Sequence, residues 1–412
     1  MTEAPVSAFT PAARVRRIRV SPSSAAAARV RELKAQGRRI FDFTVGEPDF
    51  DTPQDVKDAA VAAIARGETK YTPVNGTKEL RDAIRDRVEA TMGVRYGDEG
   101  ISVGGGGKQL IYLAFSASLD EGDEVIVPAP YWVSYPDMVL ANDGTPVVVP
   151  TRAEDGYKLT AETLRSAITE RTKWVVLNTP SNPTGATYSR AELEAIAEVV
   201  AEAPHVLVLT DEIYADLVYS DAGGRATSLA EVAPGIRDRI LTVNGVSKSY
   251  AMTGWRLGYA VGAPGIIGAI NLLQSQTSSC PSSISQAAAA AALSGDQSFV
   301  AHAREVYQAR RDRAVELVEA IDGLVPVRPD GAFYLFVDCA GLIGRRTPSG
   351  SVLETDQDVV LHLLDAAGVA VIQGSAYGTS PFFRMSFATD LDTIEQGIAA
   401  IGEAVAALSP AV

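Results

Sequence analysis

Four runs in the middle of the chain, "GDEVIVPAP", "KWVVLNTP", "HVLVLTDEIY" and "RILTVNGVSK", have short apolar, β-branched cores that do not alternate with polar residues. A strand with one wet face alternates apolar and polar residues. A strand apolar throughout is covered on both faces. The first two runs predict strands near residues 124–128 and 173–177, and the other two repeat the form. Between the second and third lies "YSRAELEAIAEVVAEA". Ser189 and Glu192 there have the spacing of a capping box, and Leu193, Ile196, Val199 and Val200 share one helical face. Strand, helix and strand in succession mean an α/β fold with a mostly parallel sheet.

Polar or glycine-rich residues follow each run. Open α/β sheets bind ligands beyond the carboxyl ends of their strands. "APYW", "NTPSNPTG", "DEIY" and "NGVSK" are therefore expected to converge on one crevice. Toward the C-terminus, "DGAFYLFVDCAG", "GVAVIQGSAYG" and "FFRMSFA" read as strands among long helices, which predicts a second, smaller α+β unit. The expected division is a large domain over residues 51–294 and a small one from 1–50 and 295–412, with the boundary in helices near 290–310.

With a net charge of −14, the chain is a poor match for nucleic acid or an anionic membrane. The basic start, Arg14, Arg16, Arg17 and Arg19, reads as a solvated or subunit-contact segment. Two cysteines, Cys280 and Cys339, cannot build a disulfide framework and fit a reducing compartment. His205, His302 and His362 have no metal-ligand spacing, so no metal is expected. The Ala-rich "SQAAAAAALS" is too short to span a bilayer and reads as a buried helix. The N-terminal stretch lacks a signal-peptide core. The expectation is a soluble, cytoplasmic protein.

In "NGVSKSYAMTGWRLGY", Lys248 and Arg256 stand among small and apolar residues. Two cations in such a setting call for something anionic or covalent to meet them. The other strand-end residues have plain explanations singly. Asp211 could cap a helix, Asn182 in "NPTG" could serve a turn, and Trp132 could be a core aromatic. "GGGGKQ", Gly104 to Gln109, opens a helical pattern whose amides could cradle a phosphate. It is not a Walker loop, since Ser102 and Gln109 break that motif. Together these are the parts that hold pyridoxal 5'-phosphate (PLP). A lysine condenses with its aldehyde, a carboxylate keeps its pyridine nitrogen protonated, an aromatic covers the ring, and an arginine pairs with the phosphate.

From "FTVGEPDFDTP" to "FFRMSFA", and above all in "SK-x-x-x-MTGWR-x-GY" and "NTPSNPTG" followed by "DEIY", the chain resembles the fold-type I, class I aminotransferases, in particular the bacterial aspartate/prephenate subgroup. The resemblance implies a large domain with a mostly parallel seven-stranded sheet flanked by helices, plus a smaller α+β domain. It implies ping-pong transamination between an L-amino acid, aspartate or glutamate, and a 2-oxo acid. Lys248 is implied as the cofactor-binding lysine and proton shuttle, and Asp211 as partner of the pyridine nitrogen. Tyr214 and Asn182 are implied as donors to the ring oxygen, and Trp132 as the stacking plane. Gly107, Lys108, Gln109 and Arg256 are implied around the phosphate. Arg384, with the Gly46 amide, is implied to clamp the substrate carboxylate. Tyr71 is implied to reach the neighbouring subunit's phosphate, which makes the active unit a homodimer with shared sites.

Two positions depart from the pattern. Gly245 stands where many relatives carry a serine that binds phosphate. Ala25, in a segment that can lie over the site, stands where close relatives often carry threonine. A second cation is needed for a distal carboxylate, and the resemblance implies Lys108 for that role. Elimination, replacement or oxidative chemistry on the same cofactor is the alternative within the fold. A silent binding or sensor protein is the alternative outside enzymology.

Overall fold

The computed structural model describes residues 9–20 and 22–410. Its centre is a seven-stranded sheet built from Ile101–Gly104 (β1), Glu124–Ala129 (β2), Thr145–Pro150 (β3), Thr172–Asn178 (β4), Leu207–Asp211 (β5), Ile240–Gly245 (β6) and Gly258–Gly262 (β7). The spatial order is β1-β7-β6-β5-β4-β2-β3, and only β7 runs against the rest. The two strands whose limits were expected from sequence lie within one residue of them.

The strands' uniform apolarity has a direct cause. Val125, Val127, Trp174, Val176, Leu209, Leu241 and Val243 face one covering layer, where helix Gly107–Ser116 (α1) contributes Leu110, Ile111 and Phe115. Ile126, Val175, Leu177, Val208 and Ile240 face the opposite layer, where helix Arg190–Glu202 (α2) contributes Leu193, Ile196, Val199 and Val200. Successive side chains thus fill two cores, each fully buried one contributing about 1.5–3 kcal/mol. The expected capping box of α2 is formed, with Ser189 accepting from the Glu192 amide and the Glu192 carboxylate accepting in return. The Ala-rich segment is helix Ser283–Ser294, with Ala288, Ala289 and Ala292 buried.

A separate core surrounds a four-stranded antiparallel sheet of Val325–Val327 (β8), Tyr334–Asp338 (β9), Ile372–Gln373 (β10) and Phe382–Ser386 (β11), in the order β10-β11-β9-β8. Helices Ser298–Glu319 (α3) and Leu391–Ala406 (α4) pack on it through Val315, Val318, Ile394, Ile398 and Ile401. The stretch "GVAVIQGSAYG" is divided between two pairings. Val369–Ala370 pairs in parallel with Phe41–Asp42, while Ile372–Gln373 joins the four-stranded sheet. The first of these pairings ties the chain's beginning to its end. Phe43 and Tyr214, from segments distant in sequence, both reach into this core.

Among the described residues no helix is long and apolar enough to cross a membrane, and no cluster of side chains could hold a metal ion. Of the basic start, Arg17 pairs with Asp143, and the helix Ala13–Arg17 has no buried residue.

Candidate active site

Strands β2, β4, β5 and β6 are near neighbours, so the loops at their carboxyl ends share one opening. A cleft of about 530 Å³ lies there. Its lining includes Gly46, Gly107, Lys108, Trp132, Asn182, Asp211, Tyr214, Lys248, Arg256 and Arg384, ten of the residues picked from the sequence.

Lys248 follows β6 by three residues and is partly buried in the cleft wall. Its Nζ donates to the Gly46 carbonyl at 2.6 Å. Burial draws the ammonium down to about 8, with Arg256 and Arg384 acting in the same direction and Glu47 and Asp211 against it. A proton-transfer group needs an amine that can be free near neutral pH, and this setting favours one.

Asp211 ends β5 and is 6% exposed. No helix begins there, so the cap reading does not hold; its Oδ1 instead accepts from the Ile213 amide at 3.3 Å. Its Oδ2 accepts from the Tyr135 hydroxyl at 2.7 Å. Asn178, opposite Asp211 in the β4–β5 register, donates to the Asp211 carbonyl at 2.9 Å. Burial raises the carboxyl to about 6 against the pull of Tyr135, Ile213 and Lys248. A carboxylate so enclosed is well placed to meet a cation.

Arg384 is buried on β11. It donates to Asn182 Oδ1 at 3.0 Å and to the Thr44 carbonyl at 2.7 Å, and its guanidinium lies 4.2 Å from the centre of the Tyr334 ring. Its Nε is buried and bonds to no described residue. Asn182 therefore does more than serve its turn. Tyr214 is buried, with its hydroxyl 2.7 Å from that of Tyr334.

The other end of the cleft is backbone and cation. Arg256 has a left-handed backbone, φ 53°, and its guanidinium donates to the carbonyls of Thr253 at 2.9 Å and Gly105 at 3.3 Å. Gly106, at φ 102°, leaves room for it: a Cβ there would lie 2.8 Å from Nη2 and push the guanidinium aside. A Cβ on Gly258 would likewise lie 2.6 Å from the Gly107 amide. The result is a cradle of bare backbone at a helix N-terminus beside a guanidinium, a fit for phosphate. Lys108 Nζ lies 4.8 Å from the centre of the Trp132 ring, and burial, then Arg256, lowers its ammonium. Amine, enclosed carboxylate, aromatic face and phosphate cradle together fit PLP.

Two selected residues stand apart from the cleft wall. The Gln109 side chain turns to the Gly105 amide at 2.5 Å and to Ser278 at 2.9 Å, so it shapes the cradle. Tyr71 is 89% exposed. Of the N-terminal helix, Ala27 lines the cleft, whereas Ala25 is exposed. A Cβ on Gly245 would meet Gly258 Cα at 3.0 Å, the Leu257 carbonyl at 3.1 Å and Ile213 Cδ1 at 3.2 Å, so a serine would be crowded there. Ser247 and Thr253 bring hydroxyls to the cleft instead.

Sequence reading missed Tyr135, Tyr334, Asn178, Thr44 and Glu47. Tyr135 lies three residues after Trp132, and that spacing was the available signal. Tyr334 had none, because it reaches Arg384 and Tyr214 only through the pairing of β9 with β11.

A model of the family described as aminotransferase class I and II matches residues 38–401. An aspartate aminotransferase of Rhizobium meliloti is 49% identical over 97% of this chain and 97% of its own. An aspartate/prephenate aminotransferase of Cereibacter sphaeroides is 48% identical over 95% of this chain and 98% of its own. A crystal structure of the aspartate aminotransferase from Rhizobium meliloti superposes with a TM-score of 0.95 at 49% identity, covering 97% of this chain and 100% of that one.

Proposed function

This chain belongs to the class I and II aminotransferases, and on that premise we propose that it uses PLP to move an amino group between an aspartate-type L-amino acid and a 2-oxo acid. The observation that carries the reading is the meeting, in one cleft, of Lys248, Asp211 and Arg384 with the glycine cradle. When bound, PLP supplies an aldehyde for imine formation and a ring that takes up the electrons of the substrate's Cα–H bond.

The chain's own residues do the rest. Arg256 and the α1 N-terminus, through the backbone amides of Gly107 and Lys108, hold the phosphate, while Gln109 supports the cradle from behind. Asp211, kept in place by Tyr135 and Asn178, holds a proton on the ring nitrogen. Tyr214 and Asn182 donate to the ring oxygen, and Trp132 covers one ring face. Arg384 pairs with the α-carboxylate beside Gly46, fixing the Cα–H bond for transfer. Lys248 would take that proton on its Nζ and serve as the shuttle that gives it back within the cleft. Lys108, exposed on the cleft lining with its Nζ 4.8 Å from the centre of the Trp132 ring, supplies a second cation for a distal carboxylate. The relatives' names as aspartate enzymes support that choice.

The division into a large domain over 51–294 and a small one from 1–50 and 295–412 is supported by the separate cores of the two sheets. A homodimer is the assembly that the role implied for Tyr71 requires, and Tyr71, 89% exposed, is free to reach a neighbouring subunit. A cytoplasmic location goes with two free cysteines and a net charge of −14.

The test is a half-reaction. With aspartate and no acceptor, the purified PLP-loaded enzyme should release one equivalent of oxo acid per subunit and stop. Continuous release, or ammonia in place of retained nitrogen, would favour elimination or oxidation and overturn the proposal.

A further inference from the structure

Tyr334 is a buried polar group of the cleft to which the proposed mechanism gives no task. It sits on β9, 1% exposed, opposite Ser386 of β11. Its ring lies under the Arg384 guanidinium, 4.2 Å from centroid to Cζ, and its hydroxyl is 2.7 Å from that of Tyr214. It also packs on the backbone that receives Lys248, since a Cβ on Gly46 would fall 2.8 Å from the Tyr334 hydroxyl oxygen.

We infer that Tyr334 is a positioning residue that couples the Arg384 carboxylate clamp to the Tyr214 hydroxyl, passing the clamp's charge state to the cofactor's ring oxygen. The inference rests on the roles proposed above for Arg384 and Tyr214. A phenol has one proton to give. If Tyr214 gives its proton into the cleft, the 2.7 Å contact is made with Tyr334 as donor. A hydroxyl that accepts one hydrogen bond donates a stronger one. Burial raises the Tyr334 phenol above its usual range, and the guanidinium over its ring opposes that rise, making it a better donor than burial alone would leave it. An anion bound to Arg384 offsets the charge and weakens the chain. Tyr214 is also faced by Asp211 and by Lys248, whose Nζ is 5.9 Å from the centre of its ring, with Tyr135 nearby. All of these remain in a Tyr334→Phe variant, so the comparison isolates one hydroxyl.

The experiment is a spectroscopic pH titration of the lysine-bound cofactor in the wild type, Tyr334→Phe, Tyr214→Phe and the double variant, with aspartate kinetics alongside. Tyr334→Phe should move the midpoint of the absorbance change upward by about 0.5–1 pH unit, the size of one hydrogen bond. A less well-donated ring oxygen is more basic. The KM for aspartate should stay within about 2-fold, because the ring under Arg384 is retained. Tyr334→Leu, which removes the ring, should raise that KM by about 10-fold or more. Tyr214→Phe should shift the midpoint further, and adding Tyr334→Phe to it should do nothing more. If Tyr214→Phe shifts the midpoint and Tyr334→Phe does not, the coupling is refuted and the proposed function stands. A Tyr334→Phe shift that persists without the Tyr214 hydroxyl also refutes the relay. No shift in either single variant would remove Tyr214 from the ring oxygen and take the inference with it.

Discussion

Replacing Asp211 with asparagine should stabilise the protein while disabling it. The folded chain encloses this carboxyl and raises it from 3.8 to about 6. A raised acid binds its proton more tightly folded than unfolded. Its favourable contribution is complete below pH 3.8 and is lost as pH rises through about 6. The difference of roughly two units corresponds to about 3 kcal/mol at pH 7.5. Asparagine has no charge to enclose, but it brings an amide that must find a partner. The net gain expected for the cofactor-free protein is therefore about 1–3 kcal/mol. Urea unfolding at pH 7.5 reads it as a higher midpoint for Asp211→Asn, with the gap narrowing below pH 6. Adding PLP should reverse the ranking, because only the aspartate gains a cationic partner. The variant should lose turnover by orders of magnitude. A cofactor-free variant no more stable than the wild type, with an equal gain from PLP, would refute the idea that this carboxylate is held ready for a cation.

Lys108→Ser should leave a distal carboxylate unpaired, a loss of about 2–5 kcal/mol, so kcat/KM for aspartate should fall about 30-fold or more. An aromatic amino acid should be little affected, and equal losses for both would reassign Lys108 to the phosphate. Mixing Tyr71→Ala subunits with Lys248→Ala subunits should restore activity once they exchange, since one site of each hybrid is then intact. Demonstrated exchange without recovery would put Tyr71 outside its neighbour's site.

The sheet was legible because burial on both faces writes itself into sequence as unbroken apolar runs, as in β2 and β4. The residues after those strands were legible because α/β topology gathers carboxyl ends on one side. That topology placed Lys248, Asp211 and Asn182 at one crevice, and the resemblance supplied their separate roles. Contacts made by strand register were not legible. Tyr334 meets Arg384 because β9 pairs with β11, and no spacing along the chain encodes that pairing. The split of "GVAVIQGSAYG" between two sheets escaped for the same reason: each half is apolar, and only its partner decides its place. Asp211 as a helix cap was a fair local reading that the structure overrode: no helix follows, and the distant Tyr135 hydroxyl and the nearby Ile213 amide take its oxygens.

The central claim is that Lys248 carries the cofactor. Borohydride reduction of the PLP-loaded protein, followed by peptide mass mapping, tests it directly. The account predicts one modified residue, Lys248, and no stable adduct in Lys248→Ala. A pyridoxyl group on Lys108 or any other lysine in the wild type, or a reducible adduct that survives in Lys248→Ala, would contradict it.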